Sequence, residues 1–459
     1  MKNKLAIYFS VLAMAFVALS CANDDVEDAG SPYAYIKSFS IGDIRSSYPA
    51  FTEDGEETTE DKTIAGSSWS FSIDQAQGKI YNNDSLPFKT NLSKVVVDMT
   101  VEGVAMIYTE ESGAYEYFAL GDSLDFTKPR EFRVTSLDGS YSKYYTISVN
   151  AHQVEPELMS WSQVSKSVAL SPEKAVEFND RIYVFGRLSR NELAFVAAKN
   201  GEDTKWSQSI NLNNLPSTAD FFSLHLFNGA LYVVADGDLY KSTDAENWSP
   251  VLQGYDLIAI VGASEVEGVE KAMWLASSEY IYRTKDGESV EENASALPAD
   301  FPLYGVSTSS YALSHNKYII RNMLVGYATP DMDGNPKVWC KLSNEESWVQ
   351  YENVGNEFPC PDLERLAVVR YDDFLYAFGG KGTAAGTEVD SFDSFYISKD
   401  NGLVWKAPED FYQQLPSVLK GSNATFTTFA DSDNYMWIIT SDDNVGVWRG
   451  IINRLGFKK

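Results

Sequence analysis

Six side chains carry the chemistry this sequence could offer a ligand: Arg187, Tyr255, Tyr304, Arg321, Arg365 and Lys381. Each is read as standing where one apolar run ends or the next begins. They are therefore expected at one rim of a strand-built domain, outside its core. Aromatic rings beside guanidinium or ammonium groups suit a sugar or an acidic ligand, because the ring offers an apolar plate and the cation donates hydrogen bonds. Hydrolysis makes heavier demands. A glycoside-active enzyme of the sialidase type would need three arginines converging on a carboxylate, a tyrosine nucleophile with a glutamate partner, and an aspartic acid. Arg187, Arg321 and Arg365 could supply the arginines, but no local motif marks them as a set. No catalytic residue is assigned.

Other chemistries find little material. The histidines are His152, His225 and His315, one in a linker, one on an apolar strand and one in a turn. Three such positions do not make a three-histidine metal site or a compact triad. Asp331-Met-Asp333-Gly334-Asn335 resembles the start of a calcium loop, but the acidic ligand required twelve positions into such a loop is Leu342 here. That segment is read as an Asp/Gly turn, and no metal or cofactor is expected. Cys340 and Cys360 lie one hairpin apart and could form a disulfide in an oxidising compartment.

The chain has 459 residues, a formal net charge of -28 and 14% aromatic residues. Such acidity argues against a nucleic-acid partner, whose footprint is basic. The aromatic content suits strands. Lys2 and Lys4 precede the apolar run Leu5 to Leu19, which ends at Ser20-Cys21. A charged start, a short apolar stretch and small residues before a cysteine describe a secretory signal over residues 1–20. The run is too short for a membrane span of about 20 residues.

The elements that must position the rim residues repeat along residues 153–459. An apolar strand with a central aromatic recurs at Arg181–Gly186, Ala230–Ala235, Ala272–Ser277, Lys317–Arg321, Phe374–Gly379 and Tyr435–Thr440, usually after a turn such as Asn228-Gly229. Tryptophans Trp206, Trp248, Trp348 and Trp405 are read as opening the fourth strand of their units, with Val290 in the equivalent place for the third. The last unit lacks this strand, while Met159-Ser-Trp161-Ser-Gln-Val164 stands unpaired at the front. The expectation is a six-bladed β-propeller closed by its own first strand, an arrangement that hides sheet edges. The longest loops, Gly326–Lys337 and Gly379–Ser394, fall on adjacent units and should raise one side of the rim. Residues 31–152 alternate as short strands with turns such as Asp138-Gly139, which predicts an all-β, immunoglobulin-like sandwich. Glu53–Asp61 reads as an exposed loop.

Several stretches carry resemblances. Ala18-Leu19-Ser20-Cys21 resembles a bacterial lipoprotein cleavage box, which implies lipidation at Cys21 and anchoring to a membrane by that lipid. The acidic run Asp24-Asp25-Val26-Glu27-Asp28 resembles the surface-export signal of Bacteroidetes lipoproteins and implies an outer-membrane, surface-exposed location, with residues 21–30 as tether. Ser398-x-Asp400-x-Gly402-x-x-Trp405 matches the Asp-box pattern, and Phe374-Leu-Tyr-Ala-Phe-Gly379-Gly380 resembles a kelch strand. Together with Ile73-Asp-Gln and Ile80–Pro87, the chain resembles a Bacteroidetes surface lipoprotein family of unknown function with an N-terminal sandwich and a kelch-type propeller. The expected role is binding of an extracellular glycan or glycoprotein at the propeller mouth. A glycoside-active enzyme of the sialidase or lyase type on the propeller and a protein-interaction scaffold are the alternatives.

Overall fold

A computed structural model describes residues 30–51, 57–199, 204–332, 334–351, 355–409 and 411–457. Cys21, the leader, the acidic tether and Asp333 lie outside them. The described residues form strands, turns and short 3-10 segments, without an α-helix. No helix among them is long and apolar enough to cross a membrane. The chain divides into two compact units between Pro156 and Glu157.

Among the described residues of the first unit, alternation builds two larger sheets and one two-stranded sheet around one core. A three-stranded sheet contains Tyr35–Ile41, Val95–Glu102 and Ser123–Leu124. A six-stranded sheet runs, in spatial order, Phe71–Asp74, Lys79–Asn82, Ser142–Ser148, Arg130–Thr135, Val104–Thr109 and Ala114–Tyr117. Their inward residues, among them Ile36, Val97, Ile107, Phe132 and Ile147, are buried together. One pairing is parallel, Thr146 with Lys79 and Ile147 with Ile80. Residues 57–61, expected in a loop, instead belong to the strand Glu57–Ile64, paired with Ile44–Phe51. Thr58, Thr59 and Thr63, β-branched residues, favour the extended backbone there.

Besides a small three-stranded sheet of Asp362–Leu363, Gly382–Ala384 and Thr387–Val389, the described residues of the second unit form five four-stranded antiparallel sheets and one of three strands; all of these but the fifth and sixth in chain order are built from consecutive strands. In chain order their first strands are Ser171–Phe178, Asp220–Phe227, Leu257–Val266, Tyr304–Leu313, Ala367–Tyr371 and Phe426–Ala430. Each first strand contacts the first strand of the next sheet, and Phe426–Ala430 contacts Ser171–Phe178. The second strands read as unbroken apolar runs because both their faces are covered by neighbouring sheets, as in Phe374–Phe378 and Met436–Thr440. The outermost strand of the sixth sheet is Met159–Ser165, paired antiparallel with Val447–Ile452, Trp161 opposite Gly450.

Gly450 is required by that pairing. A Cβ added there would lie 2.6 Å from the Trp161 ring, whose Nε1 donates to the Gln414 carbonyl at 2.7 Å. Gly450→Ala is therefore expected to lower stability by about 2 kcal/mol, since overpacking forces the ring off its seat. Denaturant titration checks this. The loss in Gly450→Ala/Trp161→Ala should fall short of the sum of the two single losses, because the clash needs both partners.

A recurring turn fixes the sheet peripheries. Ser398 Oγ donates to Asp400 Oδ1 at 2.8 Å and accepts from the Gly402 N–H, while Asp400 accepts from the amides of Leu403 and Val404. Trp405 Nε1 closes the turn on the Gly402 carbonyl at 3.0 Å. The same chemistry occurs at Ser242, Asp244 and Trp248, and at Thr284, Asp286 and Gly287 without the tryptophan. These bonds, first among them that from the Glu288 amide, hold the Asp286 carboxyl well below the usual carboxylate range.

Candidate functional site

The first strands line a central channel of about 550 Å³, which includes residues 171–176, 306–309, 365–370 and 425–430. At one end a wider mouth of about 1000 Å³ lies over the fourth and fifth sheets. Phe222, Arg365 and Leu366 line both spaces and mark the neck between them.

Phe222 is turned into this neck by a bulge. In the strand Asp220–Phe227 the register slips between Asp220, opposite Val234, and His225, opposite Tyr232. Asp220 stabilises the bulge: its carboxylate accepts from the Phe222 N–H at 3.0 Å, and Ser223 Oγ donates to its carbonyl at 2.9 Å. Phe221 is buried and Phe222 is left 40% exposed. Below it, Lys174 Nζ donates to the Phe222 carbonyl at 3.3 Å. Burial lowers the Lys174 ammonium to about 8, with Asp220 opposing the shift. Burial raises Asp220 itself.

His225 donates Nδ1–H to the Ser223 carbonyl at 2.8 Å, since a carbonyl can only accept. Its Nε2 therefore accepts from Thr308 Oγ1, 2.6 Å away. Burial, aided by Lys174, pushes this histidine down to about 3. A neutral imidazole fixed by both nitrogens braces the channel wall.

The mouth mixes charges. Asp331, Asp362, Glu364, Glu388 and Asp390 line it with Arg365, Lys381 and Met332. The two loops expected to raise the rim supply most of this lining. The second of them is partly ordered as strands: Gly382–Ala384 and Thr387–Val389 pair with each other, and the former also with Asp362–Leu363. Tyr327 OH donates to Asp362 Oδ1 at 3.3 Å and pins this small sheet to the fourth large one.

The six rim candidates fare differently. Arg365 and Lys381 share the mouth lining, with Tyr304 adjoining it through Gly305. Arg365 holds positive φ and donates to the carbonyls of Asn423 and Ala424. Arg187 is committed to the scaffold: its Nε bonds Glu173 at 2.8 Å and its Nη atoms the carbonyls of Ser217 and Ala219. Tyr255 packs edge-on against Tyr282, centroids 5.1 Å apart. Arg321 is misplaced by the sequence reading. Its strand runs on to Tyr327, so Arg321 pairs with Tyr311, far along the ladder from the Tyr304–Tyr327 pair at the mouth. At about 3.4 Å per residue, six positions separate it from the mouth by about 20 Å. Arg187, Arg321 and Arg365 thus do not meet, and the arginine set of a sialidase is not assembled.

Cys340 and Cys360 are free, buried thiols in one apolar cluster, so the disulfide considered for them is not formed. Burial raises both thiols, and each is held by its own strand or proline-flanked turn. Among the described residues, no group of three His, Cys, Asp or Glu side chains could hold a metal ion. Sequence reasoning missed Phe222 because a double aromatic in Asp220-Phe-Phe-Ser reads as core, and Lys174 because nothing in Ser171–Phe178 marks a lysine that faces the channel. The acidic residue ahead of the double aromatic was the available signal for a bulge.

Antiparallel sheets packed side by side about a central channel, with a mouth at one end, define the second unit as a β-propeller domain. The chain belongs to the DUF6242 family: residues 155–459 match the DUF6242 beta propeller domain, and residues 39–149 match the N-terminal domain of unknown function of the same family. No curated protein matches the sequence. Similar solved structures include a DUF4623 family protein from Bacteroides eggerthii, at 12% identity and TM-score 0.33 over 91% of this chain and 98% of that one. They also include an inactive virginiamycin B lyase from Staphylococcus aureus, at 11% and 0.36 over 64% and 99%. An alpha-L-arabinanase from Penicillium chrysogenum stands at 10% and 0.35 over 63% and 96%. At these scores the similarities carry no inference about function.

Proposed function

We propose that this protein is a lipid-anchored, outer-membrane binding protein that takes an extracellular glycan, free or on a glycoprotein, at the mouth of a six-bladed, kelch-like propeller. Phe222 carries the reading. A phenylalanine held out of the core by a dedicated carboxylate, at the neck of a cavity lined by both acids and cations, gains nothing for packing. It offers an apolar plate for the C–H face of a sugar, while carboxylates and Arg365 or Lys381 engage vicinal hydroxyls. The recurring Ser/Thr-Asp turns support the Asp-box resemblance. The two-sheet first unit suits an immunoglobulin-like spacer between Cys21 and the propeller.

A glycan array compares wild type with Phe222→Ala. Loss of about tenfold or more in binding is expected, as for a central aromatic contact, with stability changed by under about 1 kcal/mol for so exposed a ring. Wild-type silence across the array, or equal binding by both proteins, would remove the proposal. Incorporation of a clickable palmitate that disappears in Cys21→Ala tests the anchor.

A further inference from the structure

We infer that the outward face of the six-stranded sheet in the first unit is a second, independent carbohydrate site, fitted to an uncharged polysaccharide. This goes beyond the propeller mouth and does not depend on it. Four strands bring Tyr144, Arg133, Met106 and Tyr117 into one cross-strand row: Tyr144 pairs with Arg133, Arg133 with Met106, and Met106 with Tyr117. In the next row Tyr108 pairs with Tyr115. Their sequence neighbours Phe132, Tyr145, Ala105 and Ile107 are buried on the opposite face, so strand alternation turns this set outward.

The rings are in contact. Tyr115 meets Tyr108 at 5.5 Å and Tyr144 at 5.9 Å, both edge-on, and the Arg133 guanidinium lies 4.7 Å from the Tyr115 centroid. Arg133 spends one donor on Met106 Sδ, and its Nε is buried without a partner. Cross-strand aromatic pairs do stabilise sheets. That role does not explain the outer members, because Tyr117 is 75% and Tyr144 57% exposed and so bury little area.

Size and charge select the occupant. Three strand spacings of about 4.8 Å by two residues give a patch of about 14 by 7 Å, or about 100 Å². A stable protein partner covers about 800 Å² on each side, so this patch is too small for one and suits a few sugar units. Tyrosine supplies an apolar ring for a pyranose face and a hydroxyl for its edge. The charges on the face cancel, Arg133 against Glu131 and Lys79 against Asp74 across the neighbouring strand pair. The chain as a whole carries -28, which repels polyanions. An uncharged chain is the ligand that meets neither penalty.

The test is affinity electrophoresis of the mature full-length protein through gels holding a mixed-linkage β-glucan, a xylan, a galactomannan or polygalacturonate. All variants are made in a Phe222→Ala background, which leaves the propeller mouth out of the measurement. Retardation by at least one uncharged polysaccharide is expected, with affinity falling about tenfold in Tyr117→Ala/Tyr144→Ala and largely kept in Tyr117→Phe/Tyr144→Phe. The phenylalanine pair keeps the rings and serves as the folding control. Retardation by polygalacturonate alone, no retardation in any gel, or equal behaviour of the alanine pair and its parent would each overturn the inference. Equal losses in the alanine and phenylalanine pairs would overturn the stacking on which it rests.

Discussion

Trp437→Ala is expected to destabilise the propeller by about 3–5 kcal/mol, the range for deleting a large buried aromatic. Trp437 is fully buried and packs with Ile439 and Val447 of the sixth sheet against Ile182, Val184, Ala194 and Val196 of the first. This seam joins sheets separated by the whole length of the domain, so its loss must be felt by the ring as a unit. Its Nε1 donates to Asp431 Oδ2 at 2.7 Å, and the ring stacks on Phe429 with centroids 6.2 Å apart. Trp437→Phe keeps most of the area and loses the hydrogen bond, a cost of about 1 kcal/mol. Asp431 Oδ1 still accepts from the amides of Asp433 and Tyr435, so its turn remains occupied. Denaturant unfolding of the two variants separates seam packing from the bond. Equal losses in both would mean that the apolar contact contributes little.

Lys174→Met should act in the opposite direction and depend on pH. The Lys174 ammonium is held in the channel beside Asp220, Glu173, Arg187 and His225, and burial lowers it from 10.5 to about 8. At pH 7 the folded and unfolded chains both carry the proton, so the folded chain bears the full desolvation cost. Between about pH 8 and 10.5 the folded chain has released the proton and the unfolded chain has not, so wild type gains stability with rising pH. The apolar variant lacks this slope. It is expected to exceed wild type at pH 7 by on the order of 2 kcal/mol, allowing for residual solvent contact and for the partial loss of a counter-charge at Asp220. The advantage should vanish by about pH 10.5. A wild type that is more stable than Lys174→Met at pH 7 would show that the ammonium is better paired than its surroundings indicate. His225 gives the complementary acid limb. Because its folded value is depressed, stability should decline as pH falls from 6.5 towards 3.

Much of this architecture was written in local pattern. Strand periodicity gave the all-β class, and the repeated apolar run with a central aromatic marked the second strands. The missing strand of the final unit, against the surplus Trp161 segment at the front, required that the two pair, and register joins Trp161 to Gly450. Ser398, Asp400, Gly402 and Trp405 predicted their own turn, because every bond in it spans four residues or fewer. The two long loops were also legible, because their length and order are properties of the chain, and they supply much of the mouth lining.

What the tertiary structure decided was which side chains reach the cavity. An arginine after an apolar run reads as the end of a strand, which is why the sequence puts Arg321 at the rim. The strand continues to Tyr327 because neighbouring sheets bury both its faces, a fact no local pattern carries. Arg187 looked free and is held by carbonyls of the next sheet, at Ser217 and Ala219. Phe222, which strand pattern does not distinguish from buried Phe221, is exposed by a bulge that a hydrogen bond from its own amide to Asp220 helps to fix. Hydrophobic periodicity is a property of neighbours in sequence and survives into the fold. Exposure at the mouth depends on strand length, register slips and contacts between sheets, and these are set only when the ring is assembled.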